Sequence, residues 1–438
     1  MLLFPFIIVL LIYIVASYFA ARKKSEYFLA DRSLSWPMLL GTFLGAQIGG
    51  GFILGNTEAS FQQGFAGSMY GLGIAAGLLV LGCGFGARLR RAGVGTIPEL
   101  LVQKYGSLKL QKIASIVSIL SCAGGLMCQA IGLRKFLASL GCSGELPYVL
   151  SWGAVVLYTT LGGLLAVVWT DAIQAVIMIA MLLVTFFVAF LPHMSTIMAE
   201  GMQMGFSVSD VSLSSLIYPM CFIFVQQDMA QRCFAAKSPR DVSVGSVLTA
   251  ICLILLTGIP TICGIFGHAL HLSPSNGAIF MQVMERVSHP AVMVMAASAV
   301  LLAIISTASA IILALSSNVA MDLLGKNKSG VLITLLVGVG ALFGPLLSDD
   351  IIGGLVVSYE VAVGALFIPT VCAVLTKKNR LPKEAAIVSA IFGSAGTIAV
   401  QFLHLGAAGV LLPLLLSGVG FVLGRALSKE RSLVADVG

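Results

Sequence analysis

Long apolar runs, broken at intervals by clusters of charge, proline, glycine or asparagine, dominate the chain. Thirteen such runs stand out, over residues 2–20, 36–60, 66–87, 112–140, 146–166, 170–191, 213–230, 241–267, 290–322, 329–347, 350–375, 384–403 and 406–427. Each is close to or longer than the roughly 20 residues that carry a helix across a bilayer. The runs are continuous rather than alternating, which excludes a transmembrane β-barrel. The fifth and sixth meet across GGLLAVVWTDAIQ and nearly read as one segment. The pattern predicts an all-α polytopic membrane protein of 13 transmembrane helices, with no soluble domain in any connection. The opening run carries its charges after it, in ARKK, and none before it. It therefore reads as a first span, not a cleaved signal peptide.

Composition agrees with the pattern. Of 438 residues, 58% are hydrophobic and 10% charged, and the mean hydropathy is +1.04. An ordinary soluble domain carries roughly a quarter charged residues. The net charge of +7 invites a nucleic-acid reading until the charges are placed. With the N-terminus outside, every Lys and Arg except Arg134, Lys135 and Arg286 falls on the inner side, Arg232 among the inner-loop cations. This positive-inside asymmetry predicts N-terminus out and C-terminus in. The basic balance then belongs to inner loops and implies no nucleic-acid partner. The nine cysteines form no CxxC pair and read as packing residues. His268 and His271 are three apart with no third ligand nearby, which suits a solvated helix end better than a metal site.

Interruptions in the spans carry the candidate chemistry. The second span holds glycines at 41, 45, 49, 50, 51 and 55. Gly49–Gly51 is either an unwound point, tolerable in lipid where freed carbonyls line a cavity or bind an ion, or part of a close helix contact through Gly41, Gly45 and Gly49. The seventh span holds Pro219, then Gln226, Gln227 and Asp228, and proline predicts a kink there. Spans two and seven run in opposite directions, as in an inverted repeat with a midplane site. In the ninth, Ala303, Ser306 and Thr307 share one helix face. Their oxygens suit a hard cation such as Na+, although buried hydroxyls also bond back to the preceding turn. Glu360, about ten residues into its span, is a candidate for binding a substrate amine, ligating a cation or carrying a proton, or else a hydrogen-bonded packing residue. Asp171 and Asp228 fall at inner helix ends, where pairing with basic loops is expected. Arg134 either snorkels outward or holds a substrate carboxylate. No HExxH or GxSxG occurs in the spans, so no enzyme is expected.

The stretches YFLADRSLSWP, ARLRRAGVGTIPELLVQKYGS, YTTLGGLLAVVWTDAIQ, QRCFAAKSPRDV and STASAIILALSSNVAMDLL together resemble the sodium:solute symporter family, which includes sodium/glucose, sodium/proline and sodium/pantothenate carriers. The resemblance implies one transmembrane transporter domain over 1–438 with a leucine-transporter-type 5+5 inverted-repeat core. Residues 1–35 would hold the first helix and an inner loop, 36–191 the first repeat, 213–375 the second and 384–427 two peripheral helices. It also implies a Na+ site formed by the carbonyls of Gly45, Ile48 and Ala303 and the hydroxyls of Ser306 and Thr307. The substrate pocket would be lined by Gln47, Phe52, Gln129, Phe222 and Gln226, with Tyr359 and Glu360 from the eleventh helix. Gln47 stands where many bacterial members carry Asp, and Ser309 where Asp is frequent. Leu253 and Gly51 replace sugar-contacting positions, which disfavours sugar. The implied activity is Na+-coupled symport of a small organic solute by alternating access in a cell or inner membrane. A monomer is expected to suffice, with lipid around it. The alternatives are H+ coupling through Glu360 and a non-transporting solute sensor.

Overall fold

A computed structural model describes residues 26–435 apart from 143, 207–209, 275–277, 326–328, 347–350, 378–379, 404–408 and 410. The expected first span, 2–20, lies outside the described residues, and the last, 406–427, does so in part. Among the described residues all regular structure is helical. The one strand-like contact is an isolated parallel pairing of Leu34 with Ala236.

The principal helices are α1 (Trp36–Gln47), α2 (Asn56–Gln63), α3 (Met69–Val80), α4 (Leu108–Ser139), α5 (Glu145–Thr185), α6 (Asp210–Phe222), α7 (Gln227–Ala235), α8 (Pro239–Ala269), α9 (Pro290–Ser317), α10 (Gly330–Ala341), α11 (Ile351–Leu375), α12 (Lys383–Leu403) and α13 (Leu412–Ala435). Seven helical stretches among the described residues are long and apolar enough to cross a membrane. Two of them, 51–92 and 145–204, run for 42 and 60 residues, too long for one crossing at about 1.5 Å per residue. The second breaks at Gly163, where φ is +58°, so the join between the fifth and sixth predicted spans is a real turn. Glycine is required there: a Cβ would meet Tyr27 at 2.9 Å, and a side chain disfavours positive φ.

The core centres on α9. Its most apolar stretch is 94% buried, against 33% for that of α5 and its extension. It packs against α1, α4 and α5, and because no face of it meets lipid, its hydroxyls must find partners inside the protein. Small residues let α1 approach. A Cβ at Gly41 would lie 2.6 Å from Ala172 of α5, and one at Gly45 would lie 2.6 Å from Ser306 Oγ of α9. The small-residue contact and the unwound point are therefore both present on the same helix.

Candidate functional site

Helix α1 ends at Gln47. Ile48 has φ −85° and ψ 80°, and helical structure resumes at Gly50. The break, at Ile48 and Gly49, lies one to two residues before the centre of the triple glycine, because Gly50 and Gly51 rejoin the next helical segment. The second break separates α6 from α7 over residues 223–226, with Gln226 extended at ψ 115°. Pro219 lies four residues before it, inside α6. The amides after it make short, irregular turns, Phe224 N–H to the Cys221 carbonyl at 3.3 Å and Val225 N–H to the Phe222 carbonyl at 2.9 Å.

The two breaks face one another. Gln47 Nε2 donates to Gln226 Oε1 at 3.2 Å, and the Gly50 amide donates to Gln129 Oε1 at 3.2 Å. These side chains, with Phe52 and Phe222, line a central cavity of about 40 Å³, room for a few waters. Six of the seven residues expected at the substrate pocket, Tyr359 among them, thus line one cavity. Phe222 also stacks on Tyr359 with ring centres 4.2 Å apart.

Glu360 is the exception. It does not line this cavity; its Oε2 accepts from Gln401 Nε2 at 2.6 Å, which turns it toward α12. A helix presents successive residues about 100° apart, so Tyr359 and Glu360 cannot face the same space. Arg134 is likewise remote, paired at 2.5 Å with Glu145 and partly exposed.

Beside the cavity, Thr307 Oγ1 donates to the carbonyls of Gly45 at 3.3 Å and Ala46 at 3.1 Å. Ser306 adjoins it, in reach of Gly45. Ile48 is the residue at which the helix opens, and Ala303 lies one turn before Thr307, both fully buried. Freed carbonyls and paired hydroxyls are what a hard monovalent cation needs, and the residues fit that role without a carboxylate in direct contact.

A carboxylate stands immediately behind. Ser306 Oγ donates to Asp171 Oδ1 at 2.6 Å. Asp171 Oδ2 accepts from Thr42 Oγ1 at 2.7 Å and from Arg232 Nη2 at 3.0 Å, and Arg232 Nε donates to Thr42 Oγ1 at 2.7 Å. Asp171 and Arg232 are both 0% exposed. This corrects the sequence-based placement of Arg232 in a solvated loop and of Asp171 among basic loop partners. The short α7 carries Arg232 back into the core, where the guanidinium finds its counter-ion on α5. Charge density along the chain could not reveal this, because the partners are 61 residues apart. Tyr70 was also missed: it lines the cavity and shares a 2.9 Å hydrogen bond with Tyr359, and its polar tip in a glycine-rich apolar span was the available signal. His268 Nδ1 pairs with Glu200 at 2.6 Å, and among the described residues no His, Cys, Asp and Glu cluster resembles a transition-metal site.

The profile of the sodium:solute symporter family matches residues 27–329. The chain belongs to that family. Among the relatives of this symporter, the high-affinity proline transporter of Bacillus subtilis (strain 168) is 27% identical over 430 residues, covering 88% of this chain and 89% of that one. The sodium/proline symporter of Escherichia coli (strain K12) is 25% identical over 458 residues, covering 94% and 90%. In fold, the symporter superposes on a substrate-bound, outward-open Na+-coupled sialic acid symporter with a TM-score of 0.78 at 16% identity, over 97% of each chain. It is a multi-pass membrane transporter and not an enzyme.

Proposed function

We propose that this symporter couples inward movement of Na+ to that of a small organic solute by alternating access. The observation that carries the reading is the Thr307 hydroxyl lying against the Gly45 and Ala46 carbonyls at the α1 break. Na+ would be held by the carbonyls of Gly45, Ile48 and Ala303 and the hydroxyls of Ser306 and Thr307. Ser306 already spends its proton on Asp171, which leaves its oxygen lone pairs for a cation, and Asp171, held by Arg232, fixes the orientation of that hydroxyl. Thr307 must turn its proton away from the carbonyls to ligate. Occupation then pulls α9 and the opened end of α1 together, which orders Gln47, Gln129 and Phe52 for solute. This gives Na+ a differential affinity for the solute-ready state.

In this reading the full topology is 13 spans, N-terminus out and C-terminus in, with two inverted five-helix units opening at the 48 and 223–226 breaks. The solute is small and polar with apolar faces, matching amides beside Phe52 and Phe222. The test is solute uptake into proteoliposomes with and without a Na+ gradient, for wild type and Thr307→Ala. Uptake that saturates with Na+ in wild type and is strongly weakened in the variant is expected. Uptake indifferent to Na+ and to the substitution would overturn the reading.

A further inference from the structure

Asp228 lies in the first turn of α7, just after the second break, and lines the central cavity. It is 2% exposed. Its own amide, that of Met229 and the Gln226 side chain hydrogen-bond the carboxylate, yet Oδ2 has no hydrogen-bond partner. Nor does it belong to any ion pair among the described residues. Arg232, one turn along the same helix, gives one Nη to Asp171 and the other to the backbone carbonyl of Asp228. Its single charge is shared, paired directly with Asp171 and acting on Asp228 only through space, and no donor reaches Asp228 Oδ2.

A charged group near a helix N-terminus is favoured by the helix dipole. That effect accounts for acids on exposed helix starts, but it does not satisfy a buried carboxylate oxygen, which demands a donor or a cation of its own. The cavity wall supplies no cation: it contains no Lys, Arg or His. Aromatic rings and glutamines share that wall with Asp228. Phe52, Phe222, Tyr70 and Tyr359 line the same space, with Phe222 and Tyr70 each stacked on Tyr359. A metal cation wants several oxygens. A carboxylate facing aromatic rings instead matches an organic ammonium, whose charge meets the carboxylate while its methylenes or methyls lie over the ring faces.

Resting on the symport reading, we infer that Asp228 is the specificity-determining residue of the solute site, and that the solute carries an amine: a primary, secondary or quaternary ammonium group that pairs with Asp228 Oδ2. The hydroxyl ligands of Na+ lie on α9 and Asp228 on α7, so ion and amine are held by different helices and contribute separately.

The experiment is a thermal-shift comparison on purified full-length protein, with and without Na+. The probes are the proteinogenic amino acids and choline, set against isosteres lacking the basic nitrogen: lactate for alanine, tetrahydro-2-furoate for proline and 3,3-dimethylbutan-1-ol for choline. A ligand of the native state raises the unfolding midpoint. The expected result is a shift with at least one amine-bearing probe, none with its isostere, and at least tenfold weaker response in Asp228→Asn, which keeps its shift with Na+ alone. The inference is overturned if no amine-bearing probe acts, if an isostere acts as well as its amine, if Asp228→Asn responds like wild type, or if that variant loses only its Na+ response. Should Asp228→Asn not fold, the amine and isostere comparison on wild type decides alone. Failure of the symport reading has a different signature: Na+ stabilises neither wild type nor Asp228→Asn, whatever the amines do.

Discussion

Ser306 donates its hydroxyl proton to Asp171 at 2.6 Å, joining the hydroxyl pair of α9 to a fully buried ion pair with Arg232. Four elements meet at this carboxylate, since Thr42 of α1 also donates to it and Arg232 reaches it from α7. Removing one partner of such a pair leaves a bare charge in the interior, at about 3–5 kcal/mol. Asp171→Asn and Arg232→Gln are each expected to lower the unfolding midpoint of the purified protein, and the double variant to recover a large part of the loss. Equal midpoints for Asp171→Asn and wild type would show that the pair carries no stability.

The glycines of α1 divide into packing and site positions. A Cβ at Gly41 collides with the Ala172 backbone at 2.6 Å, and one at Gly49 meets Thr307 Oγ1 at 2.6 Å. Either Gly→Ala change overpacks the core by roughly 1–3 kcal/mol. Only Gly49→Ala is expected to raise the Na+ concentration for half-maximal uptake, by about tenfold, equivalent to ~1.4 kcal/mol. Parallel Na+ titrations of uptake for the two variants check this, and identical Na+ curves count against the site.

Gln47 and Gln226 bridge the two helix breaks at 3.2 Å. A buried amide pair of this kind contributes about 0.5–1.5 kcal/mol net, and residues in contact are non-additive when replaced. Gln47→Ala and Gln226→Ala are expected to raise the KM for solute individually, with the double variant less impaired than the sum. Strict additivity in the KM values would mean that the bridge plays no part in the solute site.

Glu360 faces Gln401 and not the cavity. Glu360→Gln keeps a hydrogen-bond partner for Gln401, so Na+-driven uptake is expected to stay within about twofold of wild type, under ~0.5 kcal/mol. Glu360→Leu removes the acceptor of Gln401, an exposed amide, and is expected to destabilise the protein by about 0.5–1.5 kcal/mol, one net hydrogen bond, with an unchanged Na+ curve. Uptake driven by a pH gradient without Na+ in wild type, and abolished in Glu360→Gln, would instead make the carboxylate a proton carrier.

The sequence by itself determined the solvent, the helical class and, to within a few residues, where two helices are weakened. In lipid every backbone group must be satisfied within its own segment, so a glycine triplet or a proline is visible locally as the place where that rule is broken. The hydroxyl triplet of α9 was legible for the same reason: residues three and four apart on one helix share a face whatever the surroundings. Facing was not legible. A helix that is apolar all round gives no periodic signal of which side meets the core, so Glu360 and Tyr359 looked equally available. Arg232 looked like a loop charge, and Asp228 like a helix-end acid. Only the tertiary structure decided these roles, because the partners are set by rotation and packing of helices distant in sequence. One arginine between two buried carboxylates can neutralise Asp171 and leave Asp228 turned to the cavity, and only the folded helices decide which acid it takes.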